Sequence, residues 1–263
     1  YYGSSPNNYI YFNCDDYTNQ TSSTCETWRI IGVFEGKVKI MRGSQIGSLA
    51  WDQDKNIDSS KTTYDNDWST SSLQVLLNTS YLNRTANVTY YSGSRGTTTT
   101  IVSTSTIGIK DSTKNMISES MWYLRGYNRS SVYSDQIYEY ERTKGSVYSG
   151  RPTSWKGKIA LAYPSDYGYA ADFGKCQKQL SGYNDSTCTS NNWMKTIIAP
   201  NYGWLLTPNS SYSYYAWNVF SSSYVTYNVA WYVYGAVPVL SLSSKLGIES
   251  GDGSSSNPYR LSV

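Results

Sequence analysis

Histidine is absent from all 263 residues, which removes the commonest general base, the Ser-His-Asp triad and histidine metal sites together. Carboxylates remain. Glycoside hydrolysis needs two of them across a cleft, and Glu139, Glu141, Asp166, Asp172 and Glu249 are the candidates. Nothing in their spacing pairs any two, so they are expected on solvated faces or in turns, and no catalytic residue is assigned. For a metal, Asp52-Gln53-Asp54-Lys55-Asn56-Ile57-Asp58 alternates oxygen ligands like the start of a calcium loop. Ile57 stands where that loop needs glycine and Thr63 where it needs a bidentate glutamate, so no metal and no other cofactor is expected. The four cysteines fall as Cys14 with Cys25 and Cys176 with Cys188, with no Cys-x-x-Cys spacing. Two local disulfides are expected, each stabilising by roughly 3 kcal/mol in the chain-entropy account. They put the chain outside the cytoplasm, as an extracellular or cell-surface protein.

Recognition chemistry is concentrated in Ser210 to Tyr234, SSYSYYAWNVFSSSYVTYNVAWYVY. From Tyr212 to Tyr234 there are seven Tyr, two Trp and one Phe among Ser, Asn, Thr and Ala, with no charge. Antibody loops favour this mixture, because Tyr and Trp give rigid contact area with few torsions to freeze while Ser and Asn supply adaptable hydrogen bonds. The same pattern also suits ordinary strands, and period-two alternation would turn half of these side chains to a buried face. Charged residues make up only 16% of the chain against 28 tyrosines, and the net charge of +3 is scattered. No basic stripe lines up for phosphates, so nucleic acid is not an expected partner. No run of eighteen apolar residues occurs, so no membrane insertion is expected. The opening YYGSSPNNY reads as a mature or truncated ectodomain whose signal or anchor would precede Tyr1.

The elements that must position these residues follow from periodicity. Asn8 to Asn13 alternates like a strand, and Trp28 to Arg42 reads as a hairpin turning at Glu35-Gly36-Lys37. Leu73, Leu76, Leu77 and Tyr81 recur at helical spacing, with Ser69 as the expected N-cap. Thr85 to Ser105 is an exposed loop or ribbon. Helices are expected over Asp111 to Leu124, with Met116, Ile117, Met121 and Leu124 on one face, and over Asp135 to Lys144, ended by Gly145. Lys158 to Tyr163 reads as an inner strand, Pro164-Ser165-Asp166 as a turn, and Asn192 to Ile198 as a short helix. Strands are expected at Trp204 to Leu206, Tyr214 to Phe220, Tyr224 to Ala230 and Val237 to Leu242, making the last third an antiparallel sheet. Gly251-Asp252-Gly253 is a tight turn before a closing edge strand at Pro258 to Leu261.

This order resembles the C-type-lectin fold, in the branch shared by formylglycine-generating-enzyme-like domains and the variable proteins of diversity-generating retroelements. The resemblance rests on Trp28 to Gly32, the helix end Leu76 to Asn78, Trp204-Leu205-Leu206-Thr207-Pro208 and Gly235 to Leu242. Domains similar to the ending SGDGSSSNPYRL occur in bacterial cell-surface and pilin-like proteins, usually with Arg and Tyr where this chain has Val237 and Ser241. The resemblance implies an α+β fold with two helices packed on antiparallel sheets and long loops. It implies a single ligand-binding domain over 1–263, with a strand and hairpin region at 1–45 and a variable binding region at 200–245. In such retroelement proteins, substitution at adenines in codons such as AAC yields Asn, Tyr, Ser, Thr and related residues but never Trp. On that basis Tyr214, Tyr215, Asn218, Phe220, Tyr224, Tyr227, Asn228 and Tyr232, with Tyr212 at the start of the stretch, are the candidate ligand-binding positions, and Trp217 and Trp231 are framework. Formylglycine generation needs C-terminal reactive cysteines, and nothing after Cys188 can serve. The calcium-dependent sugar motifs of true lectins are also missing. The expected protein is therefore a non-enzymatic adhesin-like domain whose partner is a protein ligand or receptor, with a glycan as a further option. The alternatives are a subunit or tip protein of a pilus, fibre, virion or other surface assembly, and, further off, a glycan-active enzyme.

Overall fold

Alternating apolar residues and one two-residue turn start the first sheet. The computed structural model describes residues 1–53, 65–92, 98–128, 131–176 and 179–263. β1 (Tyr9–Phe12) pairs with β2 (Glu26–Phe34), which turns through Glu35 and Gly36 into β3 (Lys37–Arg42). Both turn residues have positive φ, 51° and 73°, the turn whose twist suits antiparallel strands. After β4 (Gly47–Leu49), a tight turn at Trp68–Thr70 leads into α1 (Ser72–Leu76), which widens into a π-type turn over Leu77–Tyr81. Leu73, Leu76, Leu77 and Tyr81 are all buried, as their spacing predicts. The cap is corrected. Ser71 Oγ accepts from Gln74 N at 3.2 Å, whereas Ser69 is consumed by the preceding turn and donates to Asp67.

β5 (Val88–Ser92) and β6 (Thr98–Val102) form a separate ribbon in the Thr-rich stretch, followed by α2 (Thr104–Ile107). The expected helix over Asp111 to Leu124 is not formed. One 3-10 turn at Lys114–Met116 gives way to β7 (Ile117–Ser118) and β8 (Ser120–Tyr123). Met116, Ile117 and Leu124 are buried but Met121 is 44% exposed, so no single helical face exists. Pairing with strands distant in sequence overrides the apolar spacing here.

α3 (Ser134–Glu139) continues through Tyr140–Lys144 and stops at Gly145, as expected. β9 (Ser154–Gly157) pairs with β8, and β10 (Ile159–Ala160) precedes Pro164. Pro164-Ser165-Asp166 is the first turn of α4 (Pro164–Tyr169) rather than an isolated turn. Proline at N1 loses no intrahelical bond, and Asp166 Oδ2 accepts from Tyr163 N at 3.0 Å. α5 (Ser186–Ser190) and α6 (Lys195–Ile198) follow.

The remaining strands are β11 (Gly203–Pro208), β12 (Tyr215–Val219), β13 (Val225–Val229), β14 (Tyr234–Ala236), β15 (Val239–Leu242), β16 (Gly247–Ser250) and β17 (Arg260–Ser262). They do not form one antiparallel sheet. β15 leaves for the first sheet, in the order β1-β2-β3-β15-β10 with β7 also on β15. The second sheet runs β13-β12-β11-β14-β4, and β14 lies parallel to β11. The class is α+β, with six short α-helices among the described residues, where the resemblance implies two and periodicity predicts four.

Cys14 is bonded to Cys25 and Cys176 to Cys188. The core is aromatic. Trp28, Trp51, Trp68, Trp204 and Trp217 are fully buried, and the indole N–H groups of Trp51 and Trp204 donate to Leu205 O (3.0 Å) and Leu49 O (2.8 Å). No described helix is long and apolar enough to cross a membrane. Ser71→Ala should lower stability by about 1 kcal/mol, the ordinary cost of losing an N-cap, as read from urea denaturation.

Candidate functional site

β12 and β13 form the outer hairpin of the second sheet, and its register decides what each candidate residue can do. Tyr215, Trp217 and Val219 stand opposite Val229, Tyr227 and Val225. Ala216 and Asn218 stand opposite Asn228 and Thr226, so they share the other face. Each face carries its own chain of rings. On the first, contacts run from Tyr140 to Tyr127 (5.7 Å between centroids), Trp217 (4.5 Å), Tyr227 (5.2 Å) and Tyr215 (5.2 Å). That chain ends in Tyr212, Tyr214 and Trp231. On the second face, Trp204, Tyr234, Tyr202, Phe220 and Tyr224 are joined in turn at 4.7, 5.0, 4.7 and 4.9 Å, with Tyr232 beside Tyr234. Each such pair adds about 0.5–1.5 kcal/mol beyond burial, so the side chains are held before anything binds.

Two clamps fix the ends of the hairpin. At its open end, Asn66 Nδ2 meets the carbonyls of Asn209, Tyr212 and Tyr215 at 2.9, 2.9 and 2.7 Å. This sets the loop that carries Tyr212 and Tyr214. At its tip, Ser223 has φ 82°, its carbonyl accepts from Tyr167 Oη at 2.8 Å, and its hydroxyl lies 2.8 Å from Thr189 Oγ1 in α5.

Tyr212 and Tyr232 are each 46% exposed, while Tyr214, Tyr215, Phe220, Tyr224, Tyr227 and Asn228 are half-buried. Asn228 Nδ2 donates to Tyr234 Oη at 2.9 Å. Asn218 corrects the expectation of a ligand-facing residue. It is fully buried opposite Trp204 of β11, and neither side-chain atom is hydrogen-bonded among the described residues. β12 lies between β11 and β13, and the Asn218 position is buried within the sheet beside Trp204. Trp217 is buried, while Trp231 is half-buried against Tyr214. Burial and the neighbouring phenols hold Tyr215 above the usual tyrosine value, and burial, with Tyr202 alongside, pushes Tyr234 up to about 12. These two hydroxyls stay protonated at neutral pH. No Asp, Glu, Lys or Arg lies between Thr196 and Ser244, so the face is neutral throughout. Tyr127, Tyr140 and Tyr202 join the rings from outside the stretch, and no local pattern announces them.

A second constellation escapes the sequence altogether. Glu141 and Asp166, expected to be solvated or turn residues, are buried. Lys39 Nζ meets both oxygens of Asp166 at 2.7 and 2.8 Å, and Tyr163 N donates to Oδ2. Glu141 Oε1 accepts from Ser165 N at 2.9 Å, and Oε2 accepts from Ser165 Oγ and from Arg142 Nη1 at 2.9 Å. All four carboxylate oxygens are thus occupied by protein donors, which is the geometry of a structural cluster. Burial pushes the Glu141 carboxyl up to about 7 despite the Arg142 charge beside it. Glu139 and Glu249 are exposed and Asp172 is half-buried, in keeping with surface roles.

Of the calcium-like run, Asp54 to Asp58 and Thr63 lie outside the described residues. Asp52 is buried, and its Oδ1 accepts from Ser72 N at 2.9 Å at the start of α1. Among the described residues no group of three or more acidic or cysteine side chains gathers to hold a metal. Compared with protein-family models, curated proteins and solved structures, the chain matches none.

Trp217→Ala should cost about 3–5 kcal/mol, the range for deleting a core aromatic. Tyr232→Ala should shift stability by no more than about 0.5 kcal/mol, since it is exposed. Paired urea melts separate framework from surface. The Glu141 carboxyl binds its proton more tightly folded than unfolded, where it titrates near 4.5. Its contribution is therefore fully present at low pH and is lost as pH rises through about 7. Without histidine little else titrates in that window, so Glu141→Gln should flatten the stability slope between pH 5 and pH 8 in urea melts.

Proposed function

We propose that this chain is an extracellular, non-enzymatic ligand-binding domain of the C-type-lectin-like fold, of the kind diversified by retroelements, and that it presents its tyrosine-rich hairpin to a protein partner. The observation that carries the reading is the pair of continuous ring chains on an uncharged, clamped hairpin with Tyr212 and Tyr232 exposed. The two disulfides support a secreted or surface setting. The α+β class and the placement of Trp204 to Pro208 in a central strand of the hairpin's sheet are consistent with the fold assignment.

Binding on this face draws on desolvated aromatics ringed by Ser, Asn and Thr. Half-buried rings already ordered by their neighbours lose little side-chain entropy on binding, and exposed Tyr212 and Tyr232 extend the contact. A fixed subunit of a pilus or fibre would use the same face differently, burying it against the next copy, and an isolated domain would then self-associate.

Two measurements test the proposal. Sequencing the segment for Ser210 to Tyr234 across a population of the source should find substitutions confined to adenines of a near-identical template, with Trp217 unchanged. An invariant segment without a template would remove diversification. Sedimentation of the isolated domain should give a monomer, and assembly through the hairpin would instead favour the fibre subunit. For an identified partner, Tyr212→Ala with Tyr232→Ala should weaken binding at least tenfold, with little change between low and high salt.

A further inference from the structure

Arg142 presents an open hydrogen-bonding edge to a cleft that the hairpin does not touch. A cavity of about 190 Å³ lies between the β2–β3 turn, β8 and α3, lined by Phe34, Glu35, Trp122, Tyr123, Tyr138 and Arg142 among others. Nη1 of Arg142 donates to Glu141 Oε2 at 2.9 Å and to Tyr138 O at 3.2 Å. Among the described residues, Nε and Nη2 have no hydrogen-bond partner, and the side chain is 15% exposed. These two nitrogens form the side-on fork of a guanidinium, whose parallel N–H bonds match a carboxylate. The plane of the fork is already set. The guanidinium carbon lies 3.6 Å from the Tyr138 centroid, 5.0 Å from Tyr163 and 6.0 Å from Tyr123.

The remaining lining narrows the ligand. Lys39 is committed to Asp166 and packs on Phe34 at 3.9 Å, and Lys37 at the rim donates to the carbonyl of Glu119 at 2.9 Å, so among the described lining residues Arg142 is the cation that offers a planar pair of open donors. Glu35, which accepts from Tyr123 Oη at 3.0 Å, sets a negative charge at the rim and disfavours a multiply charged anion such as phosphate. Phe34, Trp122 and Tyr123 give a wall for C–H groups, while Tyr123 Oη and Glu35 offer partners for hydroxyls. The volume lies below the roughly 300–1,000 Å³ of sites for drug-sized molecules, which suits a single ring.

We propose that this cleft binds an acidic sugar residue of the uronic-acid type, its carboxylate on the Nε and Nη2 edge of Arg142 and its ring against Phe34 and Tyr123. The site is separate from the hairpin and does not depend on the reading of that surface. The test is titration of the whole chain with glucuronate, glucose, acetate and inorganic phosphate, followed by amide chemical-shift changes. Glucuronate should bind at least tenfold more tightly than each of the others, with shifts at the cleft residues. Arg142→Lys keeps a charge beside Glu141 but loses the fork, and should weaken glucuronate at least tenfold. Tyr123→Ala leaves the buried cluster in place and should weaken it severalfold, which decides the matter if the Arg142 variant fails to fold. Equal binding of glucose or acetate, tighter binding of phosphate, or unchanged affinity in Tyr123→Ala would overturn the proposal.

Discussion

Much of the second sheet depends on two indole hydrogen bonds. Trp51 and Trp204 are fully buried, and each must satisfy an N–H that no water can reach. They do so crosswise, Trp51 on the carbonyl of Leu205 and Trp204 on that of Leu49, so the ends of β4 and β11 are tied although β14 lies between them. That tie fixes β11. β12 and β13 then hang from β11 by backbone pairing, with Trp204 the cross-strand neighbour of Asn218. Trp51 and Trp204 thus add directional bonds to buried area, whereas the indole N–H groups of Trp68 and Trp217 have no partner among the described residues. Leu in the same places would fill space without fixing a register.

The parts of the fold legible in the sequence are those set by near neighbours. Glu35-Gly36 and the alternation on either side define β2 and β3, and the close cysteine pairs define both disulfides. Asp111 to Leu124 fails for the opposite reason. Its apolar residues fit a helix, but Ile117 and Ser118 pair with Leu242 and Ser241, and those partners are invisible from the segment itself. The candidate site was legible in kind and only partly in detail. Aromatic composition marks the hairpin, yet alternation sends its residues to two faces, and Asn218 is lost to the interior because of what covers it. Glu141 and Asp166 look like ordinary surface carboxylates until β3 brings Lys39 to α4 and α3 lies beside it.

Two surfaces with opposite chemistry emerge from this arrangement. The hairpin is neutral, its hydroxyls spread along chains of rings, and its shape is set by packing. The Arg142 cleft places a guanidinium among aromatic walls, orients it through Glu141 and Tyr138, and leaves one edge open. The first suits recognition by contact area and the second by charge and direction. They meet in the extension of α3, which carries both Tyr140 of the ring chain and Arg142 of the cleft.

The anchored tip of the hairpin also has a mechanical side. A hairpin at a sheet edge, pulled from its outer strand, ordinarily peels, breaking one pair of backbone bonds after another at low force. Here Ser223 is tied at the turn to Tyr167 in α4 and to Thr189 in α5, next to the Cys176–Cys188 crosslink. Peeling that starts at the turn must therefore first break two hydrogen bonds, to α4 and to a covalently closed loop. The turn is thus held by more than the backbone pairing of β12 with β13.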